Sequence, residues 1–155
     1  MEDLEFARTA WLKEEPQYAA FGAHLRERLH TIVRAAGIPA SISARTKEID
    51  SLLKKLILKP TYTYANLGDK LGARIIVKRL RDIATICDAI KAQFVCGLFE
   101  NTADRLKEDK VGYLSVHVDV ALLPTDPRID EFPAADFCRS AGPHACAKPV
   151  VGNVA

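Results

Sequence analysis

Between Arg45 and Arg81 the chain carries ten basic residues, opposed only by Glu48, Asp50 and Asp69. Arginine suits phosphate because its planar fork donates two hydrogen bonds at once, and lysine adds a compact point charge. The stretch as a whole is therefore a candidate polyphosphate site. The competing reading, for most of the lysines, is a solvated helix face. Asp69 precedes an apolar run at Ala73. It reads either as a turn or cap residue or as a Mg²⁺ ligand, because Mg²⁺ is held by one or two carboxylates plus substrate phosphates. Further along, Tyr113, Ser115, His117 and Asp119 alternate with Leu114, Val116, Val118 and Val120. One face of that strand is core. The other carries an aromatic, a hydroxyl, an imidazole and a carboxylate, which an ordinary sheet also shows but which can stack on and hydrogen-bond a base.

The elements that must position these residues are legible from periodicity. Residues 2–36 read as helical, with Pro16 opening a second helix. Tyr18, Phe21, Leu25, Leu29, Ile32, Val33 and Ala36 form its apolar face, and Gly37-Ile38-Pro39 ends it. A short strand is predicted at 40–44, and a helix at 47–58 with Ile49, Leu52, Leu53 and Leu56 inward. A loop follows at 60–66. A β-branched strand is predicted at 73–77, a helix at 83–94, a further strand at 95–100 and a charged loop at 101–111. The clearest strand runs over 112–122. After Leu123 five prolines leave no period of two or of 3.6. Strands alternating with helices predict an α/β or α+β sheet with helices packed on it.

At 155 residues, 48% hydrophobic and 27% charged, the chain is the size and composition of one globular domain. No stretch approaches the uncharged length of a membrane span. The acidic start MEDLEFARTAWLKEE lacks the basic end and apolar run of a signal peptide, which predicts a cytoplasmic protein. The net charge of +2 argues neither for nor against nucleic acid. Cys87 and Cys96 are expected as reduced core residues. Cys138, His144 and Cys146 match none of the paired zinc-ligand spacings, and no fourth ligand is evident.

The order of three blocks is more specific than any single residue. ARTKEIDSLLKK, then GDKLGARIIV, then DRLKEDKVGYLSVHVDV, with GYLSVH starting 43 residues after Asp69, closely resemble the synthetase domain of the RelA/SpoT alarmone synthetases. The resemblance runs from about Trp11 to Phe137. It implies a nucleotidyltransferase-like mixed sheet flanked by helices. It also implies transfer of pyrophosphate from ATP to the ribose 3′-hydroxyl of GDP or GTP, with Mg²⁺, to make (p)ppGpp. Carried over by position, Arg45 and Lys47 look like the pair on the ATP phosphates. Ser51 and Lys55 look like later positions of that motif, and Arg74 like the arginine of the following strand. Asp69 looks like the metal-binding, catalytic aspartate. Tyr113 looks like the tyrosine that stacks on the acceptor guanine, and His117 like the histidine of that acceptor site. Val111 stands where an asparagine is common before Gly-Tyr.

A larger departure follows Cys138. The family continues with a strand carrying E-x-Q-x-R-T, whose glutamate is its second acidic catalytic residue. Here the chain reads RSAGPHACAKPVVGNVA, without that motif. Translated from the second base of the Arg139 codon, a choice of synonymous codons exists with which the same stretch reads EVQVRTLARNPWSEMS. The resemblance thus implies a synthetase domain over 1–138 with its last family strand missing. It also implies an out-of-frame, disordered tail over 139–155, the alternative being a divergent or shortened tail. Such a chain is expected to be weakly active or inactive. Two rivals remain: pyrophosphate transfer to the 3′ end of tRNA, as some relatives perform, and a non-catalytic nucleotide-binding remnant. Expected partners are ATP and GDP or GTP, with tRNA and a homo-oligomer left open and no membrane.

Overall fold

The computed structural model describes residues 3–67, 70–97, 100–101, 115–132 and 146–153. Its elements run in the order α1 (Leu4–Ala36), β1 (Ala40–Thr46), α2 (Ile49–Leu58), β2 (Leu71–Val77), α3 (Leu80–Gln93), β3 (Phe94–Cys96), β4 (Glu100–Asn101), β5 (Ser115–His117), β6 (Val120–Leu122) and β7 (Cys146–Asn153).

The long first helix begins where the Asp3 carboxylate accepts from the backbone N–H groups of Glu5 and Phe6, at 3.0 and 3.3 Å. That satisfies two of the four donors a helix start leaves open. It ends at Gly37, whose φ of 66° is left-handed and so favours a residue without Cβ. The helix is continuous through Pro16, where the sequence predicts a second start. A proline inside a helix costs about 3 kcal/mol. Trp11, Tyr18 and Phe21, all essentially buried around it, hold the helix in one piece. Gly22 brings α1 close onto the sheet, since a Cβ there would stand 3.0 Å from Leu71 Cδ1.

β1 and β2 pair antiparallel, β2 and β7 pair parallel, and β5 lies antiparallel on the far side of β7, giving the order β1-β2-β7-β5-β4. β3 pairs with β6, which also touches β7. The sheet is therefore mixed, with helices packed on it, as expected. Ile42, Ile75 and Val116 lie in one cross-strand row and are buried. The next row, with Ser43, Arg74 and His117, is exposed. One face of the sheet thus closes the core under α1, and the other stays open.

Two strands differ from expectation. Within the run predicted as a single strand over 112–122 the described residues form β5 and β6: both pair with β7, but the strand on the other side changes from β4 to β3 across Val118-Asp119. There the Asp119 carbonyl accepts from the Gly97 N–H at 2.8 Å. The tail is the second difference. The sequence predicts a missing strand, yet the backbone of Cys146–Asn153 runs between β2 and β5. Without a chain in that slot both neighbours would leave rows of backbone N–H and C=O groups unpaired. Cys138 and His144 lie outside the described residues. Cys87 is buried and Cys96 half-buried, and burial pushes both thiols up.

A buried polar pair ties the segment after β6 back to α1. His24 Nε2 lies 3.0 Å from Asp126 Oδ2, and the imidazole stacks on Phe132 at 5.6 Å between centroids. Burial works to raise the Asp126 carboxyl. The hydrogen bonds from His24 and from the Arg128 backbone N–H, with the charges of His24 and Arg28, outweigh it and hold Asp126 below its ordinary value. A carboxyl depressed by folding contributes stability that is full above its unfolded value and lost as pH falls below 3.8 toward the folded one. Asp126→Ala is accordingly expected to cost about 1–3 kcal/mol at pH 7 and to flatten the loss of stability with acid. Urea denaturation at several pH values checks this. An acid limb identical in both proteins would show that the pair contributes nothing.

Candidate functional site

At the end of β1 the chain turns into α2, and the turn opens a pocket of about 310 Å³ lined by Arg45, Thr46, Lys47, Glu48, Ser51 and Gly72. Strand alternation explains the first of these. Ile42 is buried, so Ser43 and Arg45 fall on the open face. Arg45 pairs in register with Gly72, which has no side chain to fill the space beside it. Ser51 comes from the first turn of α2. That helix is held down by Leu52, Leu53 and Leu56.

Two cations, one carboxylate and two hydroxyls line the pocket. Positive charge held on an open sheet edge beside the Ser51 hydroxyl is suited to a polyphosphate. Glu48 is the single carboxylate in that lining. Among the described residues no three His, Cys, Asp or Glu side chains come together to hold a metal unaided. Such a donor set fits a Mg²⁺ that arrives with phosphates and takes one or two protein carboxylates.

The residues singled out from sequence divide into three groups. Arg45, Lys47 and Ser51 are brought together in the pocket. Lys55 follows Ser51 by one helical turn on α2, and its Nζ stands 4.6 Å from the centre of the Tyr62 ring. Arg74 is exposed on β2, two positions along the open face from Gly72, diagonal to Arg45. Its row continues through Val150 of β7 to His117 of β5, two strands away. Adjacent strands lie about 4.8 Å apart, so Arg74 and His117 are separated by roughly 10 Å of sheet. Asp69 and Tyr113 form the third group and lie outside the described residues.

Sequence reasoning missed Thr46, Glu48, Gly72 and Tyr62. A glycine inside a β-branched strand was the available signal for Gly72, because such glycines mark places where another group approaches. Tyr62 carried no signal beyond its place in a loop.

The family model described as the region found in RelA / SpoT proteins matches residues 44–132. No curated protein sequence matches the chain. Among solved structures, small alarmone synthetase 1 from Bacillus subtilis bound to its product pppGpp matches with a TM-score of 0.65 and 17% identity, over 94% of this chain and 73% of that one. The same protein bound to AMPCPP matches at 0.64 and 16%, over 94% and 71%. A GTP pyrophosphokinase family protein from Streptococcus pneumoniae matches at 0.63 and 15%, over 93% and 68%. At these identities the likeness is one of fold.

Proposed function

The chain belongs to the RelA/SpoT family, and from that premise we propose that it takes ATP as donor and GDP or GTP as acceptor for pyrophosphate transfer. The observation that carries this reading is the pocket in which Arg45 and Lys47 stand together with the Ser51 hydroxyl at the end of β1. Two of the solved structures with this fold are named for a product pppGpp and for AMPCPP, an alarmone and an ATP analogue.

In this reading Arg45 and Lys47 neutralise the donor phosphates and hold them in place, with Ser51, Lys55 and Arg74 completing the donor side. Tyr113 stacks on the acceptor guanine, and His117 contacts the same nucleotide from the open face. Asp69 would hold Mg²⁺, which supplies further charge neutralisation on the phosphates when bound. The acceptor 3′-oxygen attacks the β-phosphorus of ATP, the bond from that phosphorus to the α–β bridging oxygen breaks, and AMP leaves. Positioning and charge neutralisation carry most of such a transfer.

The 3′-hydroxyl must also lose its proton to a base. In the family that role belongs to the glutamate of the E-x-Q-x-R-T strand, which the chain lacks. The chain is therefore expected to bind ATP with Mg²⁺ more firmly than it turns it over, since each 1.36 kcal/mol of lost transition-state stabilisation is about tenfold in rate. Thin-layer chromatography of labelled ATP with GDP or GTP measures turnover, and calorimetry measures binding. Robust alarmone synthesis would overturn the weak-activity part. Absence of ATP binding would overturn the whole reading. Salt-sensitive capture of tRNA without guanine-nucleotide binding would move the acceptor to the 3′ end of tRNA.

A further inference from the structure

Lys47 is held at both of its backbone groups. Its carbonyl accepts from the indole N–H of Trp11 at 3.0 Å. Its N–H donates to the Lys70 carbonyl at 2.9 Å. The preceding residue, Thr46, donates its hydroxyl to Glu15 Oε1 at 2.8 Å. Trp11 and Glu15 stand one turn apart on α1, on one face of the helix. Neither lines the pocket.

The third fixed point is itself anchored to the same helix. Lys70 is only 8% exposed, and its Nζ lies 4.0 Å from the centre of the Tyr64 ring and 5.9 Å from that of Tyr18. The Tyr64 hydroxyl donates to Glu14 Oε2 at 2.8 Å. Burial and the Glu14 carboxylate push the Tyr64 phenol far up, so it remains a donor. Glu14 and Glu15 thus reach apart, one to the loop before β2 and one to the end of β1.

We propose that Trp11 and Glu15 are positioning residues of the donor pocket, locking the Thr46-Lys47 backbone so that Arg45 and Lys47 project from fixed points. This rests on the donor reading above and extends it to residues that never touch the nucleotide. Arg and Lys each carry about 2 kcal/mol of rotamer entropy on their long stems. A mobile backbone beneath them would add its own ordering cost to every binding event, and a preorganised one removes it. Trp11 is 1% exposed and packs at 5.5 Å on Tyr18, so its ring also fills the core. The N–H is a separate matter from the ring, and the two are separable by substitution.

The experiment is calorimetric titration of the full chain with AMPCPP and Mg²⁺, with thermal denaturation of the same samples, on wild type, Arg45→Ala, Trp11→Phe, Glu15→Ala and Glu15→Gln. Trp11→Phe keeps an aromatic ring and loses the N–H. Glu15→Gln keeps an oxygen that accepts from Thr46. Trp11→Phe and Glu15→Ala are expected to weaken binding about three- to tenfold, the size of one ordinary hydrogen bond, while folded at the titration temperature. Glu15→Gln is expected to regain most of the loss. Wild-type affinity in both Trp11→Phe and Glu15→Ala, with Arg45→Ala impaired, would overturn the positioning role and leave the donor pocket standing. An unimpaired Arg45→Ala would remove the donor reading, and the positioning role with it. Should Trp11→Phe fail to fold, the Glu15 pair decides alone: equal affinity in Glu15→Ala and Glu15→Gln overturns the proposal.

Discussion

Lys47→Ala and Arg45→Ala are each expected to weaken ATP binding roughly ten- to hundredfold, because a hydrogen bond to a charged group is worth about 1.5–3 kcal/mol. Both side chains line one pocket, so neither loss is made good by bulk solvent alone. Arg45 is exposed on the open sheet face, and Lys47 is half-buried. Their removal is expected to leave the core and the melting temperature close to wild type. Arg45→Lys separates two contributions. It restores the charge without the planar fork, and is expected to recover only part of the affinity. Calorimetry with AMPCPP and Mg²⁺ reads all three variants. A folded Lys47→Ala protein that binds like wild type would mean the pocket is not the donor site.

We propose that the tail after Cys138 is read out of frame: restoring the frame is expected to raise pyrophosphate transfer by orders of magnitude, and Asp69→Ala is expected to abolish the gain. The segment now seated between β2 and β5 suits its place poorly. It contains Pro149, in register with Ala73, and Gly152, in register with Ile76 and Ser115. A proline has no N–H to give to either neighbour, and glycine weakens a strand interior. The shifted reading EVQVRT has neither, and is rich in β-branched residues at alternate positions. Its glutamate and glutamine are two residues apart, which puts both on one face of a strand. In the slot now held by β7, whose Val150 lies in the row between Arg74 and His117, an acid on the open face would stand between the donor and acceptor sides. There it could accept the 3′-hydroxyl proton. The frame-corrected gene is expressed and assayed with labelled ATP and GDP. A well-folded but inactive product would show that the chemistry was lost elsewhere. An active product indifferent to Asp69→Ala would remove the metal assignment and leave the rest.

Local pattern alone was sufficient for much of the architecture. The apolar positions Leu25, Leu29, Ile32 and Val33, then Leu52, Leu53 and Leu56, then Ile83, Ile86 and Ile90, announce three helices and the faces they bury, and all of them are buried. Gly37 marks the end of α1 because only a left-handed residue closes that turn easily. Charge alone marked the 45–81 stretch as basic; Arg45, Lys47 and Ser51 were singled out within it by the resemblance of ARTKEIDSLLKK, and the structure brings the three to one pocket. Asp69 and Tyr113 lie outside the described residues, and the roles given to them above are proposals that rest on the family resemblance.

Other features depend on partners distant in the chain, which no window of sequence contains. Pro16 reads as a helix start, yet the burial of Trp11 and Tyr18 against the sheet carries α1 straight through it. The run 112–122 has uniform alternation and both β5 and β6 pair with β7, but the strand on their other side changes from β4 to β3, and the run divides at that change. Gly72 joins the pocket only because β2 lies in register with β1. Trp11 reaches the Lys47 carbonyl and Glu15 the Thr46 hydroxyl across 36 and 31 residues of sequence. The basic character of the stretch that lines the pocket, and the elements that carry it, were thus determined by sequence alone. Register between strands, and the hydrogen bonds that fix the backbone beneath the cations, were decided by the tertiary structure, because both depend on which distant groups the packed core brings within reach.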